Sequence, residues 1–477
     1  MMRSMYAGVS GLKNHQTKMD VIGNNIANVN TTGYKKSRVV FKDTLYQSIR
    51  GASRPTDARG GTNPMGIGLG MTLSSIDQIH TPAPAATTNK TTDLAIDGNG
   101  YFILENGGQI FYSRAGNFDF DKMGNLVNTS NGYKVHGWMA DKTQFDAQGN
   151  WKIDTVKASQ PIDISAFKTI EPNATTEVKF SGNLNSNLSV VANPAVDSDN
   201  VVITSKEIYD SLGNKHTIYF RFYKVAENET LNVKYNDDTG TEQTTAITIN
   251  KWNCDVSFDP NFPAPSGGPP GDLTTTQTIE NVIIFDTEGN YPQTVSVDGK
   301  KYQITGIADP GYTFPPVQTL TAVMTNGAKD IQFDVDFSRL TQWETKSTAW
   351  AEHQNGYKMG NLVSFTIGID GTISGVYDNG ETRNLARIAL ANFQNPAGLL
   401  QAGSNLYQVS NNSGDPLVGA PGDQGMGSIL PGSLEMSNVD LSEEFTDMIV
   451  TQRGFQANSR VITTSDEMLQ ELVNLKR

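Results

Sequence analysis

Two stretches with helical periodicity frame a long interior whose apolar residues alternate as in strands. Near the N-terminus, Met5, Val9, Leu12, Met19, Ile22, Ile26 and Val29 recur at steps of three, four or seven, with Gln16 at the skipped position. This near-heptad stripe predicts an amphipathic helix, and Asn30-Thr31-Thr32-Gly33 is its expected stop. Near the C-terminus, Leu441, Phe445, Met448, Phe455, Ile462 and Leu469 repeat the design, with Gln452, Ser459 and Asp466 at the intermediate seam positions. Asp440 followed by Glu443 reads as a capping box opening that helix. Helices of roughly 25–35 residues are ~40–50 Å long at 1.5 Å per residue. The expectation is that the two pair, bringing both chain ends to one end of the molecule. The alternative is two ordinary amphipathic helices covering a core.

From about residue 73 to 431 the strand pattern takes over. The motif D-x-x-G-N occurs at 121–125, 146–150, 210–214 and 286–290, each flanked by aromatic or β-branched residues such as His216-Thr217-Ile218-Tyr219-Phe220. It reads as a type I turn whose Gly takes the left-handed position and closes a hairpin. Asp370-Gly371 and Asn379-Gly380 add two hairpin candidates. Calcium ligation by these Asp residues would need about six oxygens at loop spacing, which none of the motifs supplies. Residues 50–72 and 258–276 are Gly/Pro-rich and lack periodicity, so they read as connectors. Gly66-x-Gly68-x-Gly70 lacks the strand-before, helix-after context and the Lys-Ser/Thr of a phosphate loop.

Composition narrows the class. The 477 residues suggest several domains. With 37 basic and 50 acidic side chains the net charge is −13, against a nucleic-acid or anionic-membrane binder. No run approaches the ~18–20 apolar residues of a membrane span, and the first residues lack the apolar core of a Sec signal. The single cysteine, Cys254, reads as a buried inert thiol and gives no Cys-based metal site. The five histidines lack the spacing of a helical zinc pair, and no G-x-S-x-G, H-E-x-x-H or Walker motif is present. No metal, cofactor or enzymatic activity is therefore expected. Trp138, Trp151, Trp252, Trp343 and Trp350 could build a sugar platform or simply pack cores and interfaces.

The stretch Asn24-Asn25-Ile26-Ala27-Asn28-Val29-Asn30-Thr31-Thr32-Gly33-Tyr34-Lys35 resembles the N-terminal signature of the bacterial flagellar rod and hook proteins. Ser437-Asn438-Val439-Asp440-Leu441 and Gln452-Arg453-Gly454-Phe455-Gln456-Ala457-Asn458-Ser459-Arg460 resemble the matching C-terminal signature. Between them, Asp97-Gly98-Asn99-Gly100-Tyr101-Phe102, Tyr112-Ser113-Arg114-Ala115-Gly116-Asn117-Phe118 and Phe393-Gln394-Asn395-Pro396-Ala397-Gly398-Leu399 are similar to the family's inner β-domain. Thr175 to Leu184 and Tyr209 to Asn214 look like the outer domain of its hook-type members, and the rod-type members are expected to be about half this length. The stretch from Phe41 through Gly70 resembles the longer connector of rod-like members, which keeps a distal-rod reading open. A secreted carbohydrate-binding or adhesive β-protein is a third reading.

The resemblance implies a mainly β multidomain protein with paired N- and C-terminal α-helices and discontinuous, nested domains. Residues 1–35 with 432–477 would form a terminal helical core and 36–72 a connector. Residues 73–150 with 358–431 would form an inner β-domain. The outer β-domain would span 151–357, with 225–330 as a possible second subdomain. The implied function is a structural subunit that polymerises into a bendable tube passing torque from rod to filament. Its implied partners are further copies of itself, the distal rod, hook cap and hook–filament junction proteins, and the flagellar export apparatus. Its implied place is outside the cell. The two apolar stripes would be the assembly surfaces. Asn24, Asn25, Ala27, Asn28, Thr32, Gly33 and Tyr34 are the N-terminal signature residues, and Gln452, Arg453 and Asn458 are their C-terminal counterparts.

Overall fold

The computed structural model describes residues 2–474, except 56–58, 147–148, 196, 239, 264–275, 298–299, 310–311, 313, 325–326 and 424. It divides into two compact units. The first holds Met1–Lys168, Val363–Val376 and Thr382–Arg477; the second holds Thr169–Leu362 and Tyr377–Glu381.

In the first unit, helix α1 (Met2–Ala27) and helix α2 (Leu441–Asn474) run antiparallel side by side. After α1 the chain turns at Gly33 (φ +67°), whose N–H donates to the Glu435 carbonyl at 2.8 Å. The stretch expected to be a connector is built as two ribbons. Strand β1 (Ser37–Asp43) pairs with β4 (Met71–Gln78), and between them β2 (Tyr46–Arg50) pairs with β3 (Met65–Gly68). Periodicity missed the second ribbon because every residue of β2 and β3 is exposed, so no alternation marks it. Its glycines have steric roles. Tyr46 lies across Gly66 and Gly68, and Gly70 (φ +106°) brings the backbone against Ala7 and Ser10 of α1. Residues 60–71 fall on this ribbon and the start of β4.

The body of this unit is an antiparallel sheet. Tyr101–Asn106 pairs with Gln109–Ser113, with Leu390–Asn392 and with Lys134–Phe145, which in turn pairs with Thr382–Ile388. Tyr101, Ile103, Tyr112, Trp138, Phe393 and Tyr407 pack its core. Phe393 meets Tyr101 and Tyr112 edge-on, at ring centroids 5.8 and 4.8 Å apart.

The second unit is a pair of sheets. One has the order Val317–Ala322, Ile331–Trp343, Glu177–Asn185, Trp350–Gln354, with the middle pair parallel. The other is built on the long ribbon of Lys215–Asn236 and Glu242–Ser257. Alternation along Lys215–Asn236 puts Ile218, Phe220 and Phe222 into a core with Phe180, Trp252, Phe333 and Phe337. A second cluster, including Leu231, Val233, Tyr235, Tyr291 and Ile304, lies on the distal half of the same strands. Residues 225–330 thus contribute to both clusters, and the ribbon passes from one to the other through register shifts between Lys224 and Glu229. Of the Gly/Pro-rich segment 258–276, residues 264–275 lie outside the described residues.

All four D-x-x-G-N motifs close turns in which Gly has positive φ, from +79° to +105°. In each, the Asn N–H donates to the Asp Oδ1 at 2.8–2.9 Å. The carboxylates cap their own turns, which is the physical reason they sit there. Cys254 is fully buried in the first cluster of the second unit, and burial pushes its thiol pKa well up.

Candidate functional site

The terminal helices meet through small and polar residues. Ser4 Oγ lies 3.4 Å from Ser465 Oγ. Gly8 faces Ile462, Gly11 faces the Asn458 amide, and the His15 ring rests on Gly454. Lys18 pairs with Asp447 at 3.0 Å, and Asn25 donates to Glu444 at 3.1 Å. On α1 these positions step by four and three (4, 8, 11, 15, 18, then 25 after Ile22), a regular heptad seam. Burial lowers the His15 pKa, with Lys18 adding to the effect.

This seam is not the apolar stripe expected from the sequence. Ile22 is buried and Ile462 meets Gly8, so those two lie in the contact. Met5, Leu12, Met19, Ile26, Val29, Met448, Phe455 and Leu469 are half-buried beside it, while Val9, Leu441 and Phe445 are exposed. Five of the seven stripe positions on α1 and three of the six on α2 lie one residue C-terminal to a seam position. One residue is about 100° of helix. Because the helices are antiparallel, that rotation turns both stripes to the same side of the pair. The ribbon β1–β4 lies on the other side, where Asn14 donates to the Met71 carbonyl at 2.7 Å, Ser10 approaches Met71 N and Lys36 pairs with Glu443 at 2.7 Å. The helix pair thus has a covered face and an open apolar one.

A seam of glycines fixes the close approach. Gly11→Leu is expected to cost ~1–3 kcal/mol by overpacking against Asn458. Gly23→Leu, at a helical glycine with open space around it, is expected to be neutral or stabilising by a few tenths of a kcal/mol. Urea midpoints of the two variants check this, and equal shifts would reject the seam.

The signature residues tie the end of α1 to its surroundings. Asn25 is buried, donates to the Ser37 carbonyl at 2.9 Å and accepts from Ser37 N and the Tyr34 hydroxyl. Asn24 donates to the Tyr34 hydroxyl, Asn28 to the Asn24 carbonyl, and the Thr32 carbonyl accepts from Asn405. Burial raises the Tyr34 pKa, and the nearby Glu444 adds to it. Ala27 is exposed at the helix end, as are Gln452 and Arg453 on α2. Asp440 caps α2 by accepting from Ser442 N at 2.8 Å, but Glu443 turns to Lys36 and leaves the capping box half made.

Below the helix pair lies a charged cluster that periodicity does not reveal. Lys35 and Glu435 are 2.6 Å apart and, with Arg114, are at most 2% exposed. Lys35 also donates to the Thr81 carbonyl, Arg114 to Glu435 at 3.3 Å and to the Gly98 carbonyl, and Ala83 N to Glu435 at 3.0 Å. Two buried cations share one carboxylate. Burial lowers the Lys35 pKa and Glu435 opposes that. Lys35 closes the quoted N-terminal signature and Arg114 sits in a quoted β-domain segment. A charged residue inside an otherwise uncharged signature was the available clue.

Among the described residues no group of three or more His, Cys, Asp or Glu could hold a metal ion. No helix among them is long and apolar enough to cross a membrane. Trp138, Trp151 and Trp252 are core residues, whereas Trp343 and Trp350 are about half exposed.

Four family profiles match in chain order. They are the flagella basal body rod protein at residues 5–35, the flagellar hook protein FlgE/F/G D1 domain at 95–181, the flagellar basal body protein FlaE D2 domain at 183–357, and the flagellar basal body rod FlgEFG protein C-terminal at 430–475. Among curated proteins, the flagellar hook protein FlgE of Borreliella burgdorferi is 42% identical and that of Treponema pallidum 38%, each over the whole of both chains. The flagellar basal-body rod protein FlgG of Bacillus subtilis is 31% identical, also end to end. Length therefore does not separate hook from rod relatives, contrary to the expectation from the sequence. The crystal structure of the Helicobacter pylori flagellar hook protein FlgE2 is 15% identical, with a TM-score of 0.45 over 75% of this chain and all of that one.

Proposed function

Because the chain belongs to the flagellar hook and basal-body rod protein family, we propose that it polymerises through its terminal helices into the bendable tube of a flagellar hook. The observation that carries this reading is the open apolar face of the helix pair. In the isolated chain Val9, Leu441 and Phe445 are 39–52% exposed, a cost that copies packed alongside would remove. The higher identity to the two hook proteins than to the rod protein favours hook over distal rod. Isolated helices are marginal in water, so the pair gains most of its stability once neighbours cover it. The exposed ribbon β2–β3 is the segment proposed to take up bending, since a two-stranded ribbon is marginal by itself.

In this reading the tube passes torque from rod to filament. Its neighbours are the distal rod, hook cap and hook–filament junction proteins, and it reaches the cell exterior through the flagellar export apparatus. Negative-stain electron microscopy of the purified full chain at rising concentration tests the reading. Hollow, curved tubes are expected, and the chain lacking 46–68 should form tubes of altered curvature. A chain that stays monomeric at every concentration, even when seeded with sheared hooks from a relative, would refute assembly; unchanged curvature would refute the role of the ribbon.

A further inference from the structure

The Lys35–Glu435–Arg114 cluster has a fourth member that its charge balance leaves exposed to acid. His80 follows β4, one residue before Thr81, whose carbonyl accepts from Lys35. Its Nδ1 lies 2.8 Å from the Tyr101 hydroxyl, and its ring packs edge-on against Tyr101 and Tyr407, at centroid distances of 6.0 and 5.4 Å. Its Nε2 is buried and has no hydrogen-bond partner. Arg114 stacks over the same Tyr101 ring at 5.2 Å, and its Nε is likewise buried without a partner.

We propose that His80 is an acid-sensitive latch, whose protonation loosens the joint that holds the base of the terminal helix pair to the β-body of the first unit. The joint draws on four separated segments: Lys35 after α1, Thr81 and Ala83 after β4, Arg114 just past the strand Gln109–Ser113, and Glu435 before α2. The charged groups near the ring are Lys35 and Arg114, both cationic, and Glu435, whose two oxygens are already taken by them. The other titratable neighbours, Tyr34, Tyr101 and Tyr407, have pKa values raised by burial and stay neutral. A proton on the ring therefore adds a third buried cation, whose Nε2–H has no acceptor.

Burial first, then Lys35 and Arg114, lower the His80 pKa from 6.5 to about 4. The sign follows directly. Between those two values the unfolded chain binds a proton that the folded chain refuses, so the contribution is complete above pH 6.5 and is lost as pH falls toward 4.

The test is amide hydrogen exchange of the full chain at Ala83 and Glu435 from pH 7 to 4.5, corrected for the intrinsic rate, in the wild type and in His80→Gln. Protection in the wild type should fall by roughly 50–100-fold more than in the variant. Equal losses in the two would overturn the proposal. Should His80→Gln not fold, the ring carbon NMR titration of wild-type His80 decides: a midpoint well below 6 supports the latch, and one near 6.5 removes it.

Discussion

Glu435→Gln should destabilise the first unit by about 3–5 kcal/mol, a large share of the ~5–15 kcal/mol that holds a typical domain together. The volume and shape of the side chain barely change; the charge does. Lys35 and Arg114 would remain in the interior with no counter-ion, since Glu435 is the acidic partner of both. The amide would also present an N–H group to an environment of donors. The cost belongs to breaking the set, since an ion pair taken whole adds little to stability once desolvation is counted. Asp119→Asn supplies the contrast. Asp119 pairs with Lys90 at 2.9 Å with both side chains about half exposed, and its removal should cost below ~1 kcal/mol. Urea unfolding followed by a probe in the first unit gives both numbers, and a Glu435→Gln loss as small as that of Asp119→Asn would show that the cluster is solvated.

The second large effect concerns assembly. Val9→Asp with Phe445→Asp should leave the monomer folded and abolish tubes. Both positions are half exposed in the single chain, so the helices tolerate charge there. In a polymer each would be covered. Losing a buried Phe removes ~2 kcal/mol per contact, and burying an unpaired carboxylate costs several kcal/mol more. At 1.4 kcal/mol per factor of ten, the concentration needed for assembly should rise at least ~100-fold. Circular dichroism checks that the helices persist, and sedimentation measures the polymer. Unchanged assembly would mean that subunits meet through some other face.

Much of this architecture was legible in the sequence, and the failures share a cause. The two helices, their pairing and the six turns came from periodicity and turn chemistry, because apolar spacing and Gly at positive φ are strong local signals. The helix–helix seam did not. A pattern search weights Met5, Val9 and Phe445, whereas the contact is made by Gly8, Gly11, His15 and Asn458, which carry little hydrophobic weight. Close packing in this pair depends on what is missing from the side chain. The Lys35–Glu435–Arg114 cluster was invisible for the opposite reason: charged residues read as solvated, and only the fold brings positions 35, 114 and 435 together. The ribbon β2–β3 escaped because all of its residues are exposed, which leaves no alternation to read.

The layout of the helix pair also sets how the chain comes apart under load. Ser4 lies beside Ser465 at one end of the pair, and the Lys35–Glu435 anchor lies beyond the other. A pull on the N-terminus therefore loads the seam at its tip and peels α1 away turn by turn. The first steps break contacts of Ser4, Gly8 and Gly11, so the resisting force starts low and rises at the Lys18–Asp447 ion pair. Only when the tear reaches Asn25, Tyr34 and Lys35 does it meet a clamp tied into the β-body, where the force must rise sharply before the rest of the chain gives way.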